Sequence, residues 1–202
     1  KSPEELYALP QPPDDYEHLQ AAITLVQQQL NAQYSTTVEY AAPLSGDNTQ
    51  PVQLLDLDSD GVQESAVAFF RVTGAENPLM IYIFRQMEDE SYEVFAVIEG
   101  GGSSITSVAY EELDVTPGKV FVVQWQMNDD IHLLGIYSVA PDMVHPLLTT
   151  SYSGCQIMDL DRDGLKEVLL LQMDNAAAGR VDYYDYAPNK DAFVLGSSAP
   201  LS

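Results

Sequence analysis

Two stretches of the chain carry carboxylates at a spacing that can hold a metal ion. Asp56, Asp58, Asp60 and Glu64 occupy positions 1, 3, 5 and 9 of one loop, and Asp159, Asp161, Asp163 and Glu167 repeat the pattern. Position 6 is Gly61 in the first loop and Gly164 in the other. A hard cation such as Ca²⁺ takes about six to eight oxygens at ~2.3–2.6 Å, and carboxylates on alternate residues point inward at one centre. Position 7, here Val62 and Leu165, offers its backbone carbonyl once the glycine lets the chain turn sharply. Four carboxylates held this close repel one another unless a cation lies between them. Without one, some must take up protons or splay apart. Two Ca²⁺ sites are expected from these residues.

The loops differ from an EF-hand, which closes on a bidentate Glu at position 12 and enters a helix. Position 12 is Val67 in one loop and Leu170 in the other, and the runs that follow, AVAFF and VLLLQ, are strand-like. Each cation loop therefore joins two strands. A third segment, from Glu112, has lost most of the pattern. Glu112 and Asp114 remain, but Thr116, Pro117 and Val120 stand at positions 5, 6 and 9. Pro117-Gly118 still makes a turn, and the Glu112–Val120 loop is expected to hold no ion.

These three loops head an internal repeat that sets the architecture. DLDSDGVQESAVAFF from Asp56, ELDVTPGKVFVVQWQ from Glu112 and DLDRDGLKEVLLLQM from Asp159 align without gaps, 56 and 47 residues apart. Each is followed by an alternating strand, a turn and a further strand: 79–86 and 91–98, 131–139 and 143–150, 180–186 and 191–195. Four strands per ~50 residues is the size of a propeller blade. The expected fold is mainly β, with about three four-stranded, propeller-like blades in an incomplete ring and one N-terminal α-helix. The blades are placed at about 51–103, 104–153 and 154–202.

Residues 14–50 hold the helix and a strand. Asp14 or Asp15 can cap a helix that begins near Tyr16. Leu19, Ile23, Val26 and Leu30 then form one apolar stripe at helical period, which predicts core packing rather than a partner-binding face. Thr36, Thr37, Val38 and Tyr40 favour a strand, and Gly46-Asp47-Asn48 signals a turn. Residues 1–13, with Pro3, Pro10, Pro12 and Pro13, suit neither a helix interior nor a central strand and are taken as an extended tether.

Charge is the outlier of the composition. The 202 residues include 31 Asp+Glu against 8 Lys+Arg, a net charge of -23. This excludes a phosphate-binding footprint for nucleic acid and disfavours an anionic membrane surface. It favours a cation ligand, a cationic partner or simple solubility. Hydrophobic residues make up 46% of the chain, enough for a core. One cysteine, Cys155, allows no intrachain disulfide. Apolar runs reach only about five residues, as in Ala66–Phe70, well short of a membrane span. The chain begins at Lys1 with no visible signal peptide, so it is read as a mature or trimmed chain, which leaves room for a removed signal or anchor.

Other chemistry-bearing residues are weaker candidates. His18, His132 and His145 show no metal spacing. Cys155 is expected as a small buried hydrophobe. No Gly-x-Ser-x-Gly elbow is present. The 99–104 stretch (EGGGSS) lacks the lysine of a phosphate loop and is expected as a flexible linker. Trp125, Tyr137, Tyr152, Tyr183, Tyr184 and Tyr186 can stack on a sugar ring, though packing within and between blades is favoured. Acidic residues are numerous enough to supply a glycosidase pair, but they concentrate in the cation loops.

The Asp-x-Asp-x-Asp-Gly-x-x-Glu pattern leading into an apolar strand resembles the FG-GAP and VCBS repeats of integrin-type β-propellers. The order of features is also similar to surface lipoproteins of gut Firmicutes that carry such repeats. The resemblance spans about residues 35–202, and the Glu112 segment departs from it. It implies that the six Asp and two Glu of the intact loops are calcium ligands with a structural role. It implies an extracellular, envelope-attached protein, with membrane contact only through an N-terminal lipid anchor absent from this chain. The expected function is a non-catalytic, calcium-stabilised surface binding or adhesion module for a protein or glycan. The alternatives are a carbohydrate-active enzyme or its glycan-binding accessory part, and a structural spacer that takes only calcium. Three blades leave open edges. They are closed by a longer chain, by a second copy, or by the N-terminal helix and strand lying over an edge; the first is the expectation.

Overall fold

The structure, a computed structural model, describes residues 16–113, 118–175 and 178–201. The expected tether over 1–13 and the cap at Asp14 or Asp15 lie outside them. The described chain opens with the helix α1 (Tyr16–Tyr34), whose buried residues are Leu19, Ile23, Val26 and Leu30. These four side chains form the predicted stripe, and burying each contributes roughly 1.5–3 kcal/mol before ordering costs.

The strand expected after Gln33 is much shorter than its β-forming residues suggest. It is β1 (Glu39–Tyr40), paired with the C-terminal end of β3 (Ser65–Arg71). The rest of that edge is taken by β2 (Val52–Leu55), which pairs Val52 with Ala68 and Leu55 with Ser65. Two short strands thus share one edge of β3, and only two residues are left for the first. Sheet 1 continues through β4 (Leu79–Gln86) and β5 (Tyr92–Gly100), all antiparallel.

Sheet 2 is a four-strand meander of β6 (Ser104–Glu112), β7 (Lys119–Gln126), β8 (His132–Ala140) and β9 (Met143–Tyr152). Sheet 3 repeats it with β10 (Gly154–Met158), β11 (Glu167–Asn175), β12 (Ala178–Ala187) and β13 (Ala192–Pro200). Among the described residues the chain is therefore mainly β, with one helix and three antiparallel sheets, none of them closed into a barrel. Half of the stretch expected as a flexible linker belongs to strands. Glu99 and Gly100 end β5 and Ser104 begins β6, so three residues connect the sheets.

Period-two alternation sorts each strand's side chains onto two faces, and the faces stack into layers. Ala66, Ala68, Phe70, Met80 and Phe84 pack against the stripe of α1. Val67, Phe69, Ile81 and Ile83 point the other way and meet Ile105, Phe121, Val123 and Trp125 of sheet 2. The far face of sheet 2, with Val122, Leu134, Ile136 and Leu148, meets Val168, Leu170 and Phe193 of sheet 3. The order of layers is helix, sheet 1, sheet 2, sheet 3. Of the ways to protect an open β structure, the helix covers a face of sheet 1 rather than one of its edges.

The aromatic residues of sheets 2 and 3 are largely absorbed by this packing. Trp125 is 3% and Tyr152 9% exposed. Tyr137, Tyr184 and Tyr186 lie half-buried against the two inter-sheet cores. His132 tilts on Tyr152 with centroids 6.0 Å apart, while His145 bonds to the Asp191 carbonyl, so the two histidines serve separate contacts. Cys155 is half-buried against the core between sheets 2 and 3, and burial pushes its thiol up to about 11.

Candidate metal centres

The intact acidic loops occupy the same place in two sheets. The first connects β2 to β3 and the other connects β10 to β11. Both fold alike because their carboxylates bond to their own backbone. Gly61 N donates to Asp56 Oδ2 at 2.9 Å, and Gly164 N donates to Asp159 Oδ2 at 3.3 Å. Val62 N donates to Asp60 Oδ1 and Leu165 N to Asp163 Oδ1, each at 2.8 Å. Asp60 N reaches Asp58 Oδ1 at 3.3 Å, and Asp163 N reaches Asp161 Oδ1 at 3.1 Å.

Two residues in each loop adopt the left-handed region. They are Ser59 (φ 63°) and Gly61 (φ 93°) in the first loop, and Arg162 (φ 64°) and Gly164 (φ 94°) in the other. Such a φ suits glycine and strains other residues. The position-6 glycine therefore has the conformational role its spacing suggested, while the strain at position 4 carried no sequence signal.

The consequence is a convergence of oxygens. One carboxylate oxygen from each of Asp56, Asp58, Asp60 and Glu64 lies within 4.8 Å of the others, and the same holds for Asp159, Asp161, Asp163 and Glu167. No gap exceeds about twice a calcium–oxygen bond of ~2.4 Å, the widest span one such ion bridges. The donors are oxygen only, the choice of a hard cation rather than of zinc or copper. A further sign is the Glu64 Oε2 atom, which is buried and has no hydrogen-bond partner. An acceptor so placed is costly unless something electropositive reaches it. The two acidic clusters can each hold a metal ion.

The two centres are not identical. Glu167 is 2% exposed, and its Oε2 accepts a hydrogen bond from Leu160 N at 2.6 Å. Glu64 is half-buried, and its Oε1 accepts from Ser65 Oγ at 3.2 Å. Asp58 also faces Arg85, Nη2 to Oδ2 at 3.8 Å, an exposed and therefore weak pair. Val62 is 58% exposed.

The middle segment links both loops to sheet 2, a feature with no sequence signal because it joins residues over fifty positions apart. Ser59 Oγ donates to Glu112 Oε1 at 2.7 Å, and Lys119 N donates to Leu57 O at 2.8 Å. Gly118 (φ 75°) lies so close that a Cβ there would stand 2.6 Å from Leu57 O. On the other side, Lys166 Nζ pairs with Glu111 Oε2. Residues 114–117, on which the expectation of an ion-free loop falls, lie outside the described residues. No family model, no curated protein and no solved structure matches the chain.

Proposed function

We propose that this chain is a non-catalytic binding module whose loops are held in shape by two Ca²⁺ ions. In this reading its three sheets are blades of the propeller type, and the module works at a cell surface. The observation that carries it is the duplicated convergence of four carboxylate oxygens, in two loops with the same internal hydrogen bonds. Asp56, Asp58, Asp60 and Glu64 hold one ion with the Val62 carbonyl. Asp159, Asp161, Asp163 and Glu167 hold the other with the Leu165 carbonyl.

Calcium is favoured over magnesium because a flexible loop of carboxylates and a carbonyl suits a large, irregular coordination shell. The ions act on stability rather than on a reaction. Each neutralises mutual repulsion within its loop and fixes the strand-to-strand connection. At about ten times Kd, binding adds ~1.4 kcal/mol per site. Extracellular modules bind Ca²⁺ at about 10⁻⁴–10⁻³ M, so millimolar calcium fills such sites.

Thermal melts across calcium concentration test this. The wild type is expected to gain roughly 2–4 °C per site as calcium rises to several times Kd. Asp58→Asn and Asp161→Asn each remove about half of that gain, and the double variant removes it. A wild-type melt that ignores calcium overturns the assignment.

A further inference from the structure

The first turn of α1 stands beside β1 and the segment that leads into β2. Between them runs a groove of about 370 Å³ whose walls include Tyr16, Tyr40, Gln50, Pro51 and Leu54. Among the described residues, none lining it is charged, in a chain with 31 Asp+Glu. Its volume falls in the ~300–1,000 Å³ range of small-ligand sites. Tyr16 is 42% and Tyr40 44% exposed, so two aromatic rings face solvent here.

Tyr40 is held in place before any ligand arrives. Tyr40 stacks on Phe70 with centroids 5.5 Å apart and planes at 29°. Phe70 in turn meets Tyr82 at 5.7 Å, and Tyr82 meets Phe84 at 6.2 Å. One face of Tyr40 is thus backed by an aromatic row, which leaves the other to the groove. The opposite wall is pinned as well. Gln53 Nε2 donates to Asn48 O at 3.0 Å and Gln50 O at 2.8 Å, and Phe69 N donates to Pro51 O at 3.1 Å. Polar groups converge on the same spot. The Tyr40 hydroxyl feels burial first and Tyr16 next, both raising its pKa, while the Gln20 and Gln27 amides act on it in the opposite sense.

Two exposed rings, one of them already backed by packing, beside neutral amides and hydroxyls suit a ligand with an apolar face and a polar rim. A pyranose ring has that shape, with C–H groups on its face and hydroxyls around its edge. An anionic ligand is repelled by a protein of net charge -23. A cationic one finds no carboxylate among the described lining residues. We propose that this groove is a binding site for neutral pyranose glycans. The inference names a ligand class for the binding-module reading and rests on it, but the groove is built without any residue of the acidic loops.

The test is a titration of the full chain with cellohexaose, laminarihexaose, mannohexaose and chitohexaose, followed by ¹H–¹⁵N shifts, in calcium and in EDTA. At least one sugar is expected to shift amides in the first turns of α1 and in residues 39–54. Tyr16→Ala and Tyr40→Ala each weaken that binding about tenfold, as expected for loss of a stacked ring. Tyr40→Phe keeps the ring and most of the affinity. Tyr16 sits at a helix end and half in solvent, so its variant reports on binding even where Tyr40→Ala loosens the packing on Phe70. No shift with any sugar at about 5 mM, a range that covers weak ligands, overturns the proposal. So do shifts that map elsewhere, and so does binding of a proline-rich decapeptide in place of every sugar. Loss of sugar binding with the calcium-dependent melt intact counts against the groove alone. A calcium-independent melt with sugar binding intact counts against the ions alone.

Discussion

Sheet 1 and sheet 3 carry the same loop motif and the same meander, yet they live in different surroundings. Sheet 1 is packed on both faces, by α1 on one side and sheet 2 on the other. Its central strand shows the result, with every residue from Ser65 to Phe70 at 0% exposure. Sheet 3 is packed on one face only, among the described residues. Val168 and Leu170 are at 0%, while their neighbours Leu169 and Leu171 are half-buried and Met173 is 42% exposed. The strand sequences AVAFF and VLLLQ are similarly apolar, so the sequence of a strand does not by itself decide how deeply it is buried. Position in the stack does.

The largest effect that tests this contrast is a pair of truncations. Phe70→Ala opens a cavity between α1 and sheet 1 and is expected to cost about 3–5 kcal/mol. Leu171→Ala, on the outer face of sheet 3, should cost about 1 kcal/mol. Urea unfolding of both variants reads the difference, and equal losses would show that the outer face of sheet 3 is covered in solution.

Next in size is the reactivity of Cys155. Burial raises its thiol from 9.0 to about 11, and a thiol that titrates later holds less thiolate at any pH below that range. Alkylation at pH 8 is therefore expected to be about a hundredfold slower than for a free cysteine, with the full rate restored in urea. Fast reaction in the native state would mean that the inner face of sheet 3 is loosely packed.

Smaller effects separate the two glutamates. Without calcium, Glu167→Gln weakens a charge-assisted bond to Leu160 N and should lose about 1 kcal/mol. Glu64→Gln removes charge from a side chain with an orphaned oxygen and should leave the metal-free melt unchanged or slightly raised. With calcium present, both substitutions lower the melt. Identical metal-free behaviour would erase the distinction between the two centres. The smallest expected change is Ser59→Ala, which removes the bond to Glu112 and should cost about 0.5–1 kcal/mol.

The parts legible in the sequence are those with short-range causes. The stripe of Leu19, Ile23, Val26 and Leu30 is a local periodicity, and the helix buries those residues. The strands after Glu64 and Glu167 are visible as short apolar runs that follow a turn. The spacing of acids along each loop is likewise local, and it brings four oxygens together because alternate residues share a side. What the sequence leaves hidden depends on competition between distant segments. Thr36 to Tyr40 have strand propensity, but β2 already occupies most of the edge they need. The Tyr16–Tyr40 groove exists only once α1 has docked, and neither tyrosine stands in a motif. Ser59–Glu112 and Lys166–Glu111 join separate sheets, so no spacing along the chain announces them.

The meander order bears on how the chain acquires its shape. Apart from β1, every strand hydrogen-bonds to one adjacent to it in the sequence, so each sheet forms by closing short loops. Short closures lose little chain entropy, and folding rates rise as native partners come closer along the polypeptide. The protein should therefore fold fast for an all-β chain and in sections, with the sheet nearest the N-terminus forming while later ones are still being synthesised.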